Sequence, residues 1–131
     1  MDSNYKYADI TGFIIKAFYN VYNKLGYGFL EKVYEKALVI EMDKLGMNVS
    51  TQIPIDVFYD GQKVGKYYAD LLVDKKVIVE LKATECINET HEAQLTNYLR
   101  ATEYKIGLVL NFGKKAQFKR KAFSNEYKNK S

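Results

Sequence analysis

The chain has 131 residues, 47% hydrophobic and 27% charged, which is the scale and composition of one globular domain with an ordinary core. Its formal net charge of +4 is too small to assign a partner, and no apolar run approaches the roughly 20 residues needed to span a bilayer. A single cysteine, Cys86, excludes an internal disulfide and a cysteine-built zinc cluster; together with a polar start unlike a signal peptide, it points to a reducing, cytoplasmic compartment.

Apolar residues at Ile10, Ile14, Ala17, Phe18, Val21 and Leu25 predict a first helix over 9–26, capped by Asp9 or Thr11 and stopped at Gly26. A second helix is expected from about Leu30 to Leu45, with Leu30, Val33, Tyr34, Ala37, Leu38, Met42 and Leu45 turned inward and Gly46 ending it. From Asn48 the pattern becomes that of strands. Val49 to Tyr59 contains Pro54, the only proline, which argues for an edge strand or a break. Asp60-Gly61 is a hairpin signal, after which Lys63 to Val73 and Lys76 to Ala83 complete a meander. Asn88 or Thr90 caps a third helix running to about Glu103, and Lys105 to Phe112 reads as a buried strand reached through a parallel βαβ crossover. Ala116 to Phe123 fits a short strand or a helix. The expectation is a single α/β domain over 1–131, with an ordered core at about 9–123 and a flexible tail at 124–131.

The stretch from Tyr68 to Lys82 carries the chemistry. Val77 to Lys82 is aliphatic apart from Glu80 and Lys82, and a carboxylate in such a run is costly to bury unless something pairs with it or coordinates it. Asp70 poses the same problem in the preceding strand. Strand side chains alternate, so Glu80 and Lys82 share a face. A two-residue Lys75-Lys76 loop would set Asp70 opposite Leu81, whereas a three-residue loop, Asp74 to Lys76, would set it opposite Glu80. Convergence therefore requires an odd-length loop or a β-bulge. Two carboxylates and an ammonium on one sheet face suit a divalent cation and an activated water. On the third helix His91, Gln94 and Tyr98 share a face near the Lys82 end of the strand. His91 has no second histidine to form a zinc site and reads as a solvated or helix-start residue.

Gly28…Glu31…Tyr34, then Asp70, then Glu80-Leu81-Lys82, then Gln94…Tyr98, in that order, resemble the small family named for its GxxExxY motif, within the PD-(D/E)xK nuclease-like superfamily. The last pair is similar to that of RecB-type nucleases. One departure is Ala69, where proline often precedes the aspartate. The resemblance implies a restriction-endonuclease-like core and hydrolysis of phosphodiester bonds in DNA. It implies Asp70 and Glu80 as ligands of Mg²⁺ or Mn²⁺, with Glu31 as a further ligand, direct or through water. Lys82 would orient or deprotonate the attacking water, and Gln94 would act beside it. Gly28, Tyr34 and Tyr98 would support the site or touch substrate.

Charge distribution adds a second contact region. Residues 114–131 carry seven Lys and Arg against one acid, Glu126, while the rest has 13 basic and 15 acidic residues. Lys119, Arg120 and Lys121 are the candidates for phosphate contact, and a solvated tail is the plainer reading. Two other readings remain open: a nuclease-fold module that binds nucleic acid or a partner protein without turnover, and a tyrosine-rich protein-binding scaffold. A domain this small leaves specificity to a homodimer or a partner protein.

Overall fold

The computed structural model describes residues 3–123, with side chains from residue 9 onward. The tail expected to be flexible at 124–131 lies outside the described residues. Two helices come first, α1 (Ser3–Leu25) and α2 (Glu31–Lys44). Three strands follow as a meander: β1 (Val49–Tyr59), β2 (Gln62–Val73) and β3 (Val77–Lys82). Helix α3 (Glu89–Ala101) then crosses to β4 (Ile106–Phe112), which turns into β5 (Ala116–Ala122).

The five strands form one sheet in the order β1-β2-β3-β4-β5, antiparallel except for β3 and β4, which run parallel through the α3 crossover. The last segment is thus a strand, settling the strand-or-helix alternative. Helices α1 and α2 cover one face, where Ile14, Phe18, Leu38 and Met42 pack with Leu71, Val79, Leu81 and Leu108. Helix α3 covers the other, where Leu95 and Leu99 pack with Leu72, Ile78 and Val109. Strands β3 and β4 are buried on both faces, which is why they read as nearly continuous apolar runs. Each fully buried large aliphatic chain contributes about 1.5–3 kcal/mol.

Expectations for both N-terminal helices are corrected. Helix α1 begins at Ser3 rather than Asp9, because the stretch before Asp9 contains no glycine or proline to stop it; Asp9 and Thr11 lie inside the helix instead of capping it. Leu30 is not an inward residue of α2: it precedes the helix in extended conformation and is 80% exposed. Val33 is exposed too, because the buried stripe of α2 runs through Tyr34, Leu38 and Met42. Of the two readings of Pro54 the edge strand holds: β1 lies unbroken at the sheet edge, where a missing N–H costs nothing.

Two polar devices fix the ends of the helices. The Tyr34 hydroxyl donates to the Gly26 carbonyl at 2.8 Å and accepts from the Phe29 N–H at 3.2 Å, while its ring stacks on Phe112 at 4.1 Å. The α1–α2 connection is folded around this one side chain, with Gly28 at φ +112°, a conformation that glycine alone adopts readily. At α3, the Asn88 side chain accepts from the His91 N–H at 2.9 Å and His91 Nδ1 accepts from the Asn88 N–H at 3.3 Å, a capping box that fixes His91 as a helix-start residue.

Candidate active site

The loop between β2 and β3 has three residues, Asp74 to Lys76, with Asp74 and Lys75 in the left-handed region at φ +52° and +56°. Asp74 is held there by its N–H donating to the Asn48 carbonyl and its carboxylate accepting from the Asn48 N–H. The resulting register pairs Leu71 with Val79 and Val73 with Val77, so one further row sets Asp70 opposite Glu80. The odd-length loop required by the sequence is present.

Pairing ends before that row on the β3 side of β2 and is interrupted at it on the β1 side. The β2–β3 ladder ends at Leu71–Val79, and the β1–β2 ladder skips Gln52 and Asp70, with Gln52 at φ +53°. The strands change face there. Ala69 and Leu72, three apart, both pack on the α3 side, whereas Leu71 and Val73 pack under α1 and α2. Such a switch needs one irregular residue in each strand, and Gln52 and Asp70 are those residues. The outer part of the β1–β2 hairpin thereby leaves the sheet, and a fork opens between β2 and β3.

The carboxylates fill the fork. The Asp70 N–H donates to Glu80 Oε1 at 3.0 Å, and the Leu81 N–H donates to Asp70 Oδ2 at 2.8 Å. Side chains thus take up N–H groups left without a ladder partner where the strands separate. Glu80 is only 5% exposed and Asp70 is half-buried. Burial first, then the neighbouring Asp70 charge, push the Glu80 carboxyl up to about 8; the Asp70 N–H and Lys82 act against this, and Glu31 reinforces it. Asp70 is also raised, mainly by burial and secondarily by Glu35, with the Leu81 N–H, Lys82 and Gln52 opposing.

Lys82 and helix α3 complete one wall. Lys82 Nζ donates to Gln94 Oε1 at 3.3 Å, and Gln94 Nε2 donates to the Tyr98 hydroxyl at 3.0 Å. The Tyr98 hydroxyl is pushed up by burial and then by the charge of Glu80. Asp70, Glu80, Lys82, Gln94 and Tyr98 therefore meet in one place.

The remaining sequence candidates lie elsewhere or play other parts. Glu31 is exposed in the first turn of α2 and acts on Glu80 through its charge. Gly28 and Tyr34 build the α1–α2 connection. Lys119 and Arg120 are exposed on β5, and Lys121 pairs with Glu92 at 2.7 Å.

One residue was missed by the sequence reading. Glu35 is 6% exposed, accepts from Gln52 Nε2 at 2.8 Å and pairs with Lys32 at 2.9 Å, and its charge acts directly on Asp70. Its position was its signal: it follows the buried Tyr34, lies three residues before the buried Leu38, and falls one turn beyond Glu31.

A family model, the PD-(D/E)XK nuclease superfamily, matches residues 8–121. The chain belongs to this superfamily. The matched span includes Asp70 and Glu80-Leu81-Lys82, which the fork brings side by side. Members of the superfamily are generally nucleases and usually use divalent metals. The crystal structure of SSO0001 matches with a TM-score of 0.55 at 15% identity, covering 75% of this chain and 54% of that one. That likeness establishes the fold, and the chain spans about half the length of that protein. A comparison with curated proteins finds no match.

The donor set fits a hard cation without enclosing it. Among the described residues no three Asp, Glu, His or Cys side chains converge tightly enough to wrap a metal ion. Asp70 and Glu80 each have only one oxygen tied to a backbone N–H. Mg²⁺ is commonly held by one or two carboxylates, with water and substrate phosphate completing its shell.

Proposed function

We propose that the chain is a divalent-metal-dependent nuclease that hydrolyses phosphodiester bonds in DNA, and that it belongs to the GxxExxY group of its superfamily. The observation supporting this most strongly is the reciprocal clasp at the fork. Asp70 and Glu80 are preset by backbone N–H groups, each with a second oxygen to offer, and burial plus mutual repulsion makes a cation the natural complement.

In this reading Asp70 and Glu80 hold Mg²⁺ or Mn²⁺. Glu31 is a further ligand, direct or through water, and Glu35 adds negative charge beside Asp70. The bound ion supplies polarisation of the phosphate and acidification of a bound water. Lys82 gives one N–H to Gln94 and keeps two more donors, enough to orient the attacking water and offset charge on a phosphate oxygen. As the water oxygen bonds to phosphorus, one P–O ester bond breaks; the water's proton passes to bulk water, and the departing ester oxygen takes up a proton from bulk water to leave as a hydroxyl. Gln94 and Tyr98 keep the ammonium in place, while Gly28 and Tyr34 hold the mouth of α2. Lys119, Arg120 and, after release from Glu92, Lys121 meet phosphates outside the cut site. Specificity comes from a second copy or a partner protein.

The test is cleavage of single-stranded, duplex and branched DNA and of RNA, with Mg²⁺ or Mn²⁺ against EDTA. Asp70→Asn is expected to abolish metal-dependent cleavage and leave the metal-free fold at least as stable. Lys82→Ala is expected to slow cleavage about a hundredfold or more while Mg²⁺ still raises Tm. No wild-type cleavage in either metal would replace the enzyme with the binding-module reading.

A further inference from the structure

Beyond the fork, the outer part of the β1–β2 hairpin stands against α3, and a cleft of about 780 Å³ lies between them. Val57, Phe58 and Tyr67 wall it on the hairpin side, and Gln94, Asn97 and Tyr98 on the helix side. The volume falls within the about 300–1,000 Å³ typical of small-ligand sites. We propose that this cleft receives an unpaired nucleobase of the strand being cut, stacked on Tyr67, so that the substrate is single-stranded or locally unpaired nucleic acid. The proposal rests on the nuclease reading above and adds to it the substrate class.

Continuity with the fork is the first argument. Gln94 lines the cleft and also accepts from Lys82; Tyr98 lines it and also accepts from Gln94. The same two side chains separate the catalytic carboxylates from the cleft, so a phosphate at Lys82 has its neighbouring base at the cleft. The second argument is ring surface. Tyr67 is 50% exposed with its ring 5.9 Å from that of Tyr98, and Phe58 is more exposed still. Such half-open aromatic walls are how proteins take unstacked bases without regard to sequence.

Polar groups and charge agree with this occupant. Asn97 is exposed and offers both an amide donor and a carbonyl acceptor to a base edge. The one acid lining the cleft, Asp56, is paired with Lys63 at 3.2 Å, while Arg100 adds a positive charge at the rim. A base inside a duplex has both faces stacked and its edge paired, so it can use neither the rings nor Asn97. Only a base already out of the stack fits.

Oligonucleotides carrying 2-aminopurine test this in EDTA, where no hydrolysis interferes. Quenching is expected on binding a single strand, or a duplex with one unpaired 2-aminopurine, and none with the fully paired duplex. Tyr67→Ala should abolish the quench and weaken single-strand binding about tenfold. Tyr67→Phe should retain both. Should Tyr67→Ala fail to fold, Phe58→Ala and Asn97→Ala, at exposed positions on different elements, decide in its place: weakened single-strand binding supports the cleft, and wild-type binding by both overturns it. Equal binding of paired and unpaired forms would also overturn it. Metal-dependent cleavage without any quench would sink the base cleft alone; a quench without cleavage in any metal would sink the nuclease reading alone.

Discussion

Glu80 is nearly buried, accepts one backbone N–H, and faces the Asp70 carboxylate across the fork. Its carboxyl is pushed up to about 8 from a usual 4.5, first by burial and then by Asp70. The folded protein therefore binds a proton here more tightly than the unfolded chain does. For an acid raised in this way, the stabilisation is complete below about pH 4.5 and is lost as pH rises towards about 8. Asp70, also raised, acts in the same direction. In EDTA, Tm should fall across this window in the wild type and fall less in Glu80→Gln; thermal melts at successive pH values give the comparison. Mg²⁺ should restore Tm most at the alkaline end, where both carboxylates are ionised and a cation relieves their repulsion. An equally steep fall in Glu80→Gln would place the pH sensitivity elsewhere.

At the level of elements, the site depends on where strands end as much as on what they carry. Lys82 closes β3, and the chain beyond it must turn at once towards α3. Asn111, fully buried on β4, makes that turn definite: its Oδ1 accepts from the Thr84 N–H and its Nδ2 donates to the Thr84 carbonyl, both at 3.0 Å. Gly113 lets the two chains approach, since a Cβ there would meet the Thr84 carbonyl oxygen at 2.2 Å. Asn111→Ala strips one partner from each of two polar groups in a part-buried setting, at about 1–3 kcal/mol. A Tm lower by several degrees is expected, with cleavage reduced further than stability alone requires, because Lys82 and Gln94 lie on either side of the loosened turn. Unchanged cleavage per folded molecule would make Asn111 a stability residue only.

For the whole molecule, the basic residues sit on the sheet edge opposite the β1–β2 hairpin. Lys114, Lys115, Lys119 and Arg120 are exposed, whereas Lys121 is engaged with Glu92. If the exposed four meet phosphate, changing them to Gln should reduce the slope of log binding constant against log salt by about 0.9 for each phosphate no longer neutralised. DNA binding measured across a salt series reads this directly. An unchanged slope would leave β5 as a solvated edge.

The sequence by itself determined the elements and the chemistry they carry. Helical and alternating periodicities placed two helices, a meander and a crossover, because burying one face imposes a period that survives in the residue order. Asp60-Gly61 marked its hairpin because both residues take a left-handed φ, +49° and +75°, which few others adopt easily. Asp70, Glu80 and Lys82 were legible because charged residues in apolar runs require an explanation, and Gln94 and Tyr98 because helical spacing sets them on one face near Lys82. Tertiary structure alone decided their convergence. Loop length fixed the register, and the irregular row at Gln52 and Asp70 turned the hairpin out of the sheet, neither of which leaves a periodic trace. The burial of Glu35 and the exposure of Leu30 depended likewise on how α2 lies against the sheet, which is set by contacts between segments far apart in the chain.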